Sequence, residues 1–423
     1  MTGTFRSLKI FNYRLWAAGA IVSNIGTWMQ RTAQDWLVLT ELTHNNATAV
    51  GIVMALQFGP QLLFLPWTGF AADHFDRRKL MIATQSLMGL LALILGVLTV
   101  TGLVELWHVY VLAGLFGCAS AFDAPARQTF VSDLVDDRNL SNAVALNSTS
   151  FNAGRMIGPA VAGVIIAAVG SGWAFLLNAA SYLAVLASLF FLRRGELRYN
   201  ERAARARGSF VEGFRYVWRR PDLMAILVIL LLVGTFGLNF PIFISTMTVS
   251  VFHAGANEYG LLSSVMAVGT ITGALLAAGR EETHFRYLLI GTGVFGIGCI
   301  LAAMAPNTLL FGAALVIIGI SALTLMNVSN SLLQLSTEPA MRGRVMALRM
   351  AVAMGGAPIG APLVGWVADH YGPRWALGIA AVAGLAAAAV AIRHLVQGRH
   401  VATYEKPDYP LIDPVSGSGR QGP

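Results

Sequence analysis

Five charged side chains sit inside stretches of this 423-residue chain that are otherwise apolar: Arg31, Asp35, Asp123, Arg155 and Arg349. At membrane depth such groups are costly and serve function by default. A carboxylate there can take up and release a proton, and a guanidinium can hold an anion. Arg31 and Asp35 are four apart, so on a helix they share a face and are expected to pair directly. Asp35 is the first candidate for proton exchange, with Arg31 and Arg155 tuning it or holding an anionic substrate. The alternative is a structural pair near one membrane interface. Asp123 is the second candidate, and its place one turn before Arg127 also fits a structural gate pair. Arg349 is expected to pair with Asp73 or Asp123 in an inner gate. Asn24, Trp28, Gln34, Asn239 and Asn327 could line a cavity, although many such side chains bridge helices instead. The eight histidines lie in loops or near the ends of apolar runs, so a histidine relay across the membrane is not expected.

The stretches that must position these groups are membrane helices. The chain is 56% hydrophobic and 12% charged. A soluble domain carries about 25% charged residues. Runs of about 20 apolar residues are long enough to span a bilayer. Twelve occur, near 13–39, 48–72, 79–101, 107–130, 141–169, 173–192, 222–251, 257–278, 286–305, 308–331, 344–368 and 374–396. They lack two-residue alternation, which excludes a transmembrane barrel.

Basic residues fall in alternate gaps between the runs. Arg77, Arg78 and Lys79, then Arg127 and Arg138, then several between 193 and 220, then Arg280 and Arg286, then Arg342 and Arg344 mark one side. The gaps at 41–46, 105, 170–172, 253–258 and 306–307 have none, and only Arg374 breaks the pattern. Short Lys/Arg-rich loops stay cytoplasmic. A multi-pass protein of the inner membrane with both termini cytoplasmic is therefore expected. Its net charge of +8 reflects topology, so nucleic acid is not an expected partner. Arg6, Lys9 and Arg14 precede a first run too long for a signal peptide. Cys118 and Cys299 lie within apolar runs and carry no redox message.

Residues 193–221 divide the runs six and six, giving bundles at 1–192 and 222–396 and a tail at 397–423 that is rich in Pro, Gly and Ser and expected to be disordered. In the linker, Ser209 and Glu212 form a capping box. Phe210, Phe214, Val217 and Trp218 share one face of the helix it starts, and Arg215, Arg219 and Arg220 are available to lipid phosphates. A plain solvated linker is the alternative. The halves repeat: Ile157-Gly158 and Ile359-Gly360 are 202 positions apart, and the same offset relates Gly163 to Gly365, Gly170 to Gly372 and Trp173 to Trp375. Two parallel six-helix repeats around a midplane site are a transporter plan.

The stretch Gly69-Phe-Ala-Ala-Asp73-His-Phe-Asp-Arg77-Arg78-Lys79 resembles the signature loop of the major facilitator superfamily, with Asp76 where that family usually has glycine. Gly154-Arg-Met-Ile-Gly158-Pro159-Ala-Val-Ala-Gly163 resembles the glycine-proline motif of the superfamily's antiporters. Ordinary helix packing also explains these small residues. Phe122-Asp123-Ala-Pro125-Ala126-Arg127-Gln128, with Asn142 to Asn147 beyond it, is similar to the subfamily of enterobactin exporters and macrolide efflux proteins. The arginine usual in the fourth helix of other drug exporters is absent. The resemblance implies an all-α, twelve-helix fold and secondary active efflux of amphipathic small molecules, drugs or a siderophore, by proton antiport. A lysophospholipid or other lipid transporter of the same fold is the alternative, and an intramembrane sensor or enzyme the alternative of another class. No phosphate-binding loop, metal-ligand cluster or Ser/His/Asp set supports an ATP-driven or enzymatic reading. Small-molecule substrate, protons and membrane lipids are the expected partners, with no cofactor and a monomeric state.

Overall fold

The computed structural model describes residues 3–65, 67–68, 75–198, 210–278 and 284–397. Gly69, Asp73, Ser209 and the tail beyond Gln397 lie outside the described residues. The described chain is helical, without strands. The N-terminal half comprises α1 (Phe11–Trp36), α2 (Ala47–Leu63), α3 (Arg77–Val100), α4 (Leu106–Leu134), α5 (Asp137–Val169) and α6 (Ser171–Phe190). A short helix, α7 (Phe210–Trp218), leads into the C-terminal half. There α8 (Pro221–Leu232) and α9 (Phe240–Thr246) form one broken span, followed by α10 (Ala256–Ala278), α11 (Arg286–Met304), α12 (Thr308–Leu335), α13 (Pro339–Tyr371) and α14 (Pro373–Val396). Among the described residues, ten spans are long and apolar enough to cross a membrane. The remaining two are α1, which carries many polar side chains, and α2, whose described part is 17 residues.

Local chemistry sets the ends. Asn46, Asp76, Asp136 and Asn307 accept from backbone amides three residues on, and Pro221, Pro339 and Pro373 stand in first turns where no amide is needed. α5 and α13 are 33 residues each, so they begin before the expected runs at 141 and 344. At about 1.5 Å per residue they reach well beyond a ~30 Å hydrocarbon core. Counting apolar residues stops at the first charges, whereas the helix continues past them. The seventh run, expected to be continuous, is broken at Leu238 and Asn239, between a π-helical turn and α9. Gly237, Asn239 and Pro241 crowd that point and disfavour an unbroken helix.

The repeat is visible in the backbone. α5 and α13 start and end 202 positions apart, and each is followed by a glycine at positive φ, Gly170 at 93° and Gly372 at 96°. Earlier in each half the offset is 209: His44 (φ 49°) matches His253 (φ 52°) after the π-helical ends Leu37–Leu42 and Met247–Val251. The difference is absorbed where α3, 24 residues, corresponds to α11, 19 residues, and in the loop after each.

The halves meet through two matched helix pairs, α2 with α13 and α5 with α10. A side chain at Gly51 would strike the backbone of Ala361, and one at its counterpart Gly260 the carbonyl of Pro159. Gly365 faces the carbonyl of Ala47, and Gly163 that of Ala256 at 2.7 Å. Small residues let these backbones approach closely. The contacts lie toward the face opposite the basic loops. There Asp369, at the end of α13, accepts from the Ala47 amide (2.6 Å), the Thr48 amide (2.9 Å) and the Thr48 hydroxyl (2.5 Å) at the start of α2. Among the described residues, no hydrogen bond or ion pair joins the halves at the basic face.

Candidate functional site

Between the halves lies a cavity of about 200 Å³. Helical spacing builds each wall. α1 contributes Trp28, Arg31, Thr32 and Asp35; α2 contributes Met54, Gln57 and Phe58; α5 contributes Arg155 and Pro159. Steps of three and four put these side chains on one face of each helix. The C-terminal half adds Leu238, Phe240, Pro241 and Ile244 at the broken span, and Tyr259, Ser263, Met266 and Ala267 from α10. The break in the seventh span turns Phe240 and Pro241 toward this space.

The expected Arg31–Asp35 pair does not form: no ion pair joins them within 4.0 Å. The Arg31 guanidinium lies over the rings of Trp28 (5.2 Å) and Phe58 (5.1 Å). The rings of Trp28 and Phe58 hold the Arg31 guanidinium within the cavity wall. Asp35 is 6% exposed and accepts instead from the Tyr259 hydroxyl across the halves, at 3.3 Å. The Tyr259 ring in turn stacks on Trp36, with centroids 6.0 Å apart. Arg155 lies 5.8 Å from the other lining cation's shared ring, Trp28. Its helix runs on through Pro159, whose ring removes the amide that would bond the Arg155 carbonyl.

Asp123 is buried elsewhere. Its carboxylate accepts from the Thr84 hydroxyl (2.8 Å), the Gln85 amide (2.7 Å) and the Arg127 guanidinium (3.2 Å). Arg127 also donates to Asn24 at 3.0 Å, so this cluster ties α1, α3 and α4 within one half. The expected link from Arg349 to Asp123 is absent. Arg349 donates to the Met326 carbonyl of α12 at 3.2 Å, because the start of α13 packs on its own half at this level. Near the basic face Arg77 pairs with Asp133 at 2.7 Å, and Arg78 donates to the Leu189 carbonyl at 2.7 Å.

The profile of the transmembrane secretion effectors matches residues 2–411. The chain belongs to this family of the major facilitator superfamily. Among curated proteins it is similar to the staphyloferrin A transporter of Staphylococcus aureus, at 27% identity over 82% of this chain and 87% of that protein. It is also similar to the multidrug efflux pump Tap of Mycolicibacterium fortuitum (26%, covering 84% and 88%) and to macrolide efflux protein A of Streptococcus pyogenes (25%, covering 87% and 92%). The fold matches a bacterial homologue of the human lysosomal transporter Spinster in an inward-facing, unoccupied conformation, with TM-score 0.70 over 92% of this chain and 98% of that one at 15% identity. A POT family transporter complex gives TM-score 0.75 over 95% and 100% at 13% identity. The secretion-effector chain is therefore a multi-pass membrane transporter of the major facilitator fold and not an enzyme.

Of the residues marked in the sequence of this secretion effector, Trp28, Arg31, Asp35, Arg155 and Pro159 come together at the cavity. Gly154 and Gly158 do not line it. They let α5 press on α1, where a side chain at Gly158 would meet the Trp28 Cβ at 2.6 Å. Asn24 bridges to Ser150 at 3.1 Å, and Asn239 is buried with its amide on the Thr235 carbonyl at 2.8 Å. Gln34 is buried and Asn327 exposed, both away from the lining. Sequence reasoning passed over Tyr259, Gln57 and Phe58. Gln57, an amide within the apolar run of α2, carried a signal. Tyr259 near a helix end reads like any interfacial aromatic and carried none.

Proposed function

We propose that this chain is a secondary active exporter of amphipathic small molecules, coupled to inward proton flow through Asp35. The observation that carries the reading is a buried carboxylate at the wall of an interhalf cavity, held by one hydroxyl from the opposite half. Ionised Asp35 accepts from Tyr259 and ties the halves together at that level. Protonation removes charge from the wall, weakens that tie and favours separation of α1 from α10. Residues 1–192 and 222–396 act as the two moving bodies, joined by 193–221. With the basic face cytoplasmic, as loop charge favours, the contacts at the opposite face correspond to closure toward the outside and access from the cytoplasm. Both termini are then cytoplasmic. The names of the relatives, for a siderophore, several drugs and a macrolide, support export over import. Asp123, already answered by three donors, serves as a structural node within its half.

The test is transport in proteoliposomes with an imposed pH gradient, using the compounds named for the relatives as the first panel. Asp35→Asn is expected to abolish gradient-driven accumulation while energy-independent exchange persists, since only coupling needs the titratable group. Undiminished gradient-driven transport in that variant overturns the assignment.

A further inference from the structure

Two guanidiniums and one carboxylate line the cavity, and they do not answer one another. Arg31 makes no hydrogen bond or ion pair among the described residues, and its Nε is buried without an acceptor. Arg155 likewise has neither hydrogen bond nor ion pair among the described residues, and neither arginine lies within 4.0 Å of the Asp35 carboxylate. Their contacts with Trp28 and Phe58 occupy the ring faces. A ring attracts the cation as a whole, but it supplies no in-plane acceptor for the five N–H groups of a guanidinium.

Charges elsewhere in the bundle are treated differently. Asp123 meets Arg127, Asp133 meets Arg77, Asp222 meets Arg220 at 2.6 Å, and Arg349 meets a backbone carbonyl. Although the Arg349 Nε is also buried without an acceptor, each of these charges has at least one hydrogen-bond partner, whereas the two cavity cations have none among the described residues. Their donors stand open to a ligand, and an unanswered buried cation is costly. The facing titratable groups are Asp35 from α1 and Tyr259 from α10, and they are bonded to each other.

We infer that the substrate carries a planar oxyanion, a carboxylate, held between Arg31 and Arg155 beside Trp28, with an apolar body against Phe58, Phe240 and Met266. This rests on the cavity being the transport site, as proposed above. Carboxylate geometry matches the guanidinium fork and gives short, charge-assisted bonds. The aromatic and methionine walls accept a flat apolar body of varied outline.

Equilibrium binding to the protein in nanodiscs, corrected for empty nanodiscs, tests this with three probes that share one ring system: 2-naphthoate, 2-naphthamide and 2-naphthylmethylammonium. Naphthoate is expected to bind about tenfold or more tighter than naphthamide, the value of a charge-assisted hydrogen bond or two, and the ammonium weakest. Arg31→Gln and Arg155→Gln should each remove most of that preference, and Arg155→Lys should keep part of it. Equal affinity for naphthoate and naphthamide, or preference for the ammonium, overturns the inference in the parent protein without any variant. The measurement uses no gradient, so it separates the two readings. Failure of Asp35→Asn to uncouple leaves an arginine-dependent carboxylate preference standing. Proton-driven export of a cation only would overturn the substrate class and leave the coupling intact.

Discussion

Asp35 and Asp123 are both buried carboxylates, and their partners set their roles apart. Asp123 receives three donors within one half, so its loss removes an acceptor from Thr84, Gln85 and Arg127 and the one counter-charge of Arg127 among the described residues. Asp123→Ala should cost about 2–4 kcal/mol, read as a lower thermal midpoint in detergent, with Asp123→Asn recovering part. An unchanged midpoint removes the structural role. Asp35 has one donor, from a helix 224 positions away in sequence. Tyr259→Phe removes that donor and should lower gradient-driven transport by about tenfold or more, since a hydrogen bond to a charged group is worth about 1.5–3 kcal/mol and about 1.4 kcal/mol is tenfold. Exchange without a gradient should be preserved, because the cavity remains. Equal loss of both activities would assign Tyr259 to packing. Apolar runs interrupted by charge exposed both carboxylates to sequence reasoning. Which one kept spare capacity was hidden, because Thr84, Gln85 and Tyr259 reach their acceptors only in the fold.

At the scale of elements, α2 and α13 are fastened by an acid at a helix end. Asp369 meets two amides and a hydroxyl in the first turn of α2, where the helix dipole favours negative charge. Its counterpart 202 positions earlier is Ala167, so the α5–α10 seam has no such acid. Asp369→Asn should weaken this closure by about 1–2 kcal/mol, raising the population open at that face by about five- to thirtyfold. Labelling of a cysteine at Thr32 by an impermeant maleimide from that face, after removal of Cys118 and Cys299, should rise accordingly. Equal labelling would show that the glycine seams suffice. Gly158 acts between α5 and α1, where added volume displaces Trp28. Gly158→Ala should therefore lower stability by about 1–3 kcal/mol and weaken naphthoate binding together, whereas a silent substitution would mean that the seam can yield. The glycine spacing was legible in the sequence. Which helix each glycine meets was not, because small residues allow close approach without specifying a partner.

For the whole molecule, two halves joined along paired seams at one face make closure itself testable. Thr48 and Asp369 touch across the halves, so cysteines at both positions, joined by a short reducible cross-linker, should hold that face shut. Net transport should stop and return on reduction, while probe binding from the basic face continues. Unimpaired transport in the cross-linked protein would rule out opening at this seam. By itself the sequence determined the number and rough extent of the spans, the alternation of basic loops, the repeat from 157 onward and the family resemblance. Each of these follows from local composition or fixed spacing, which helix geometry converts directly into position. Only the tertiary structure decided the pairing of charges. Arg31 and Asp35 share a helix face, yet Arg31 meets the Phe58 ring of α2 and Asp35 the Tyr259 hydroxyl of the opposite half, partners that only the docked bundles bring near. The cavity likewise draws on five spans from both halves, and the contacts between them depend on how two bundles dock, which no single stretch of chain encodes.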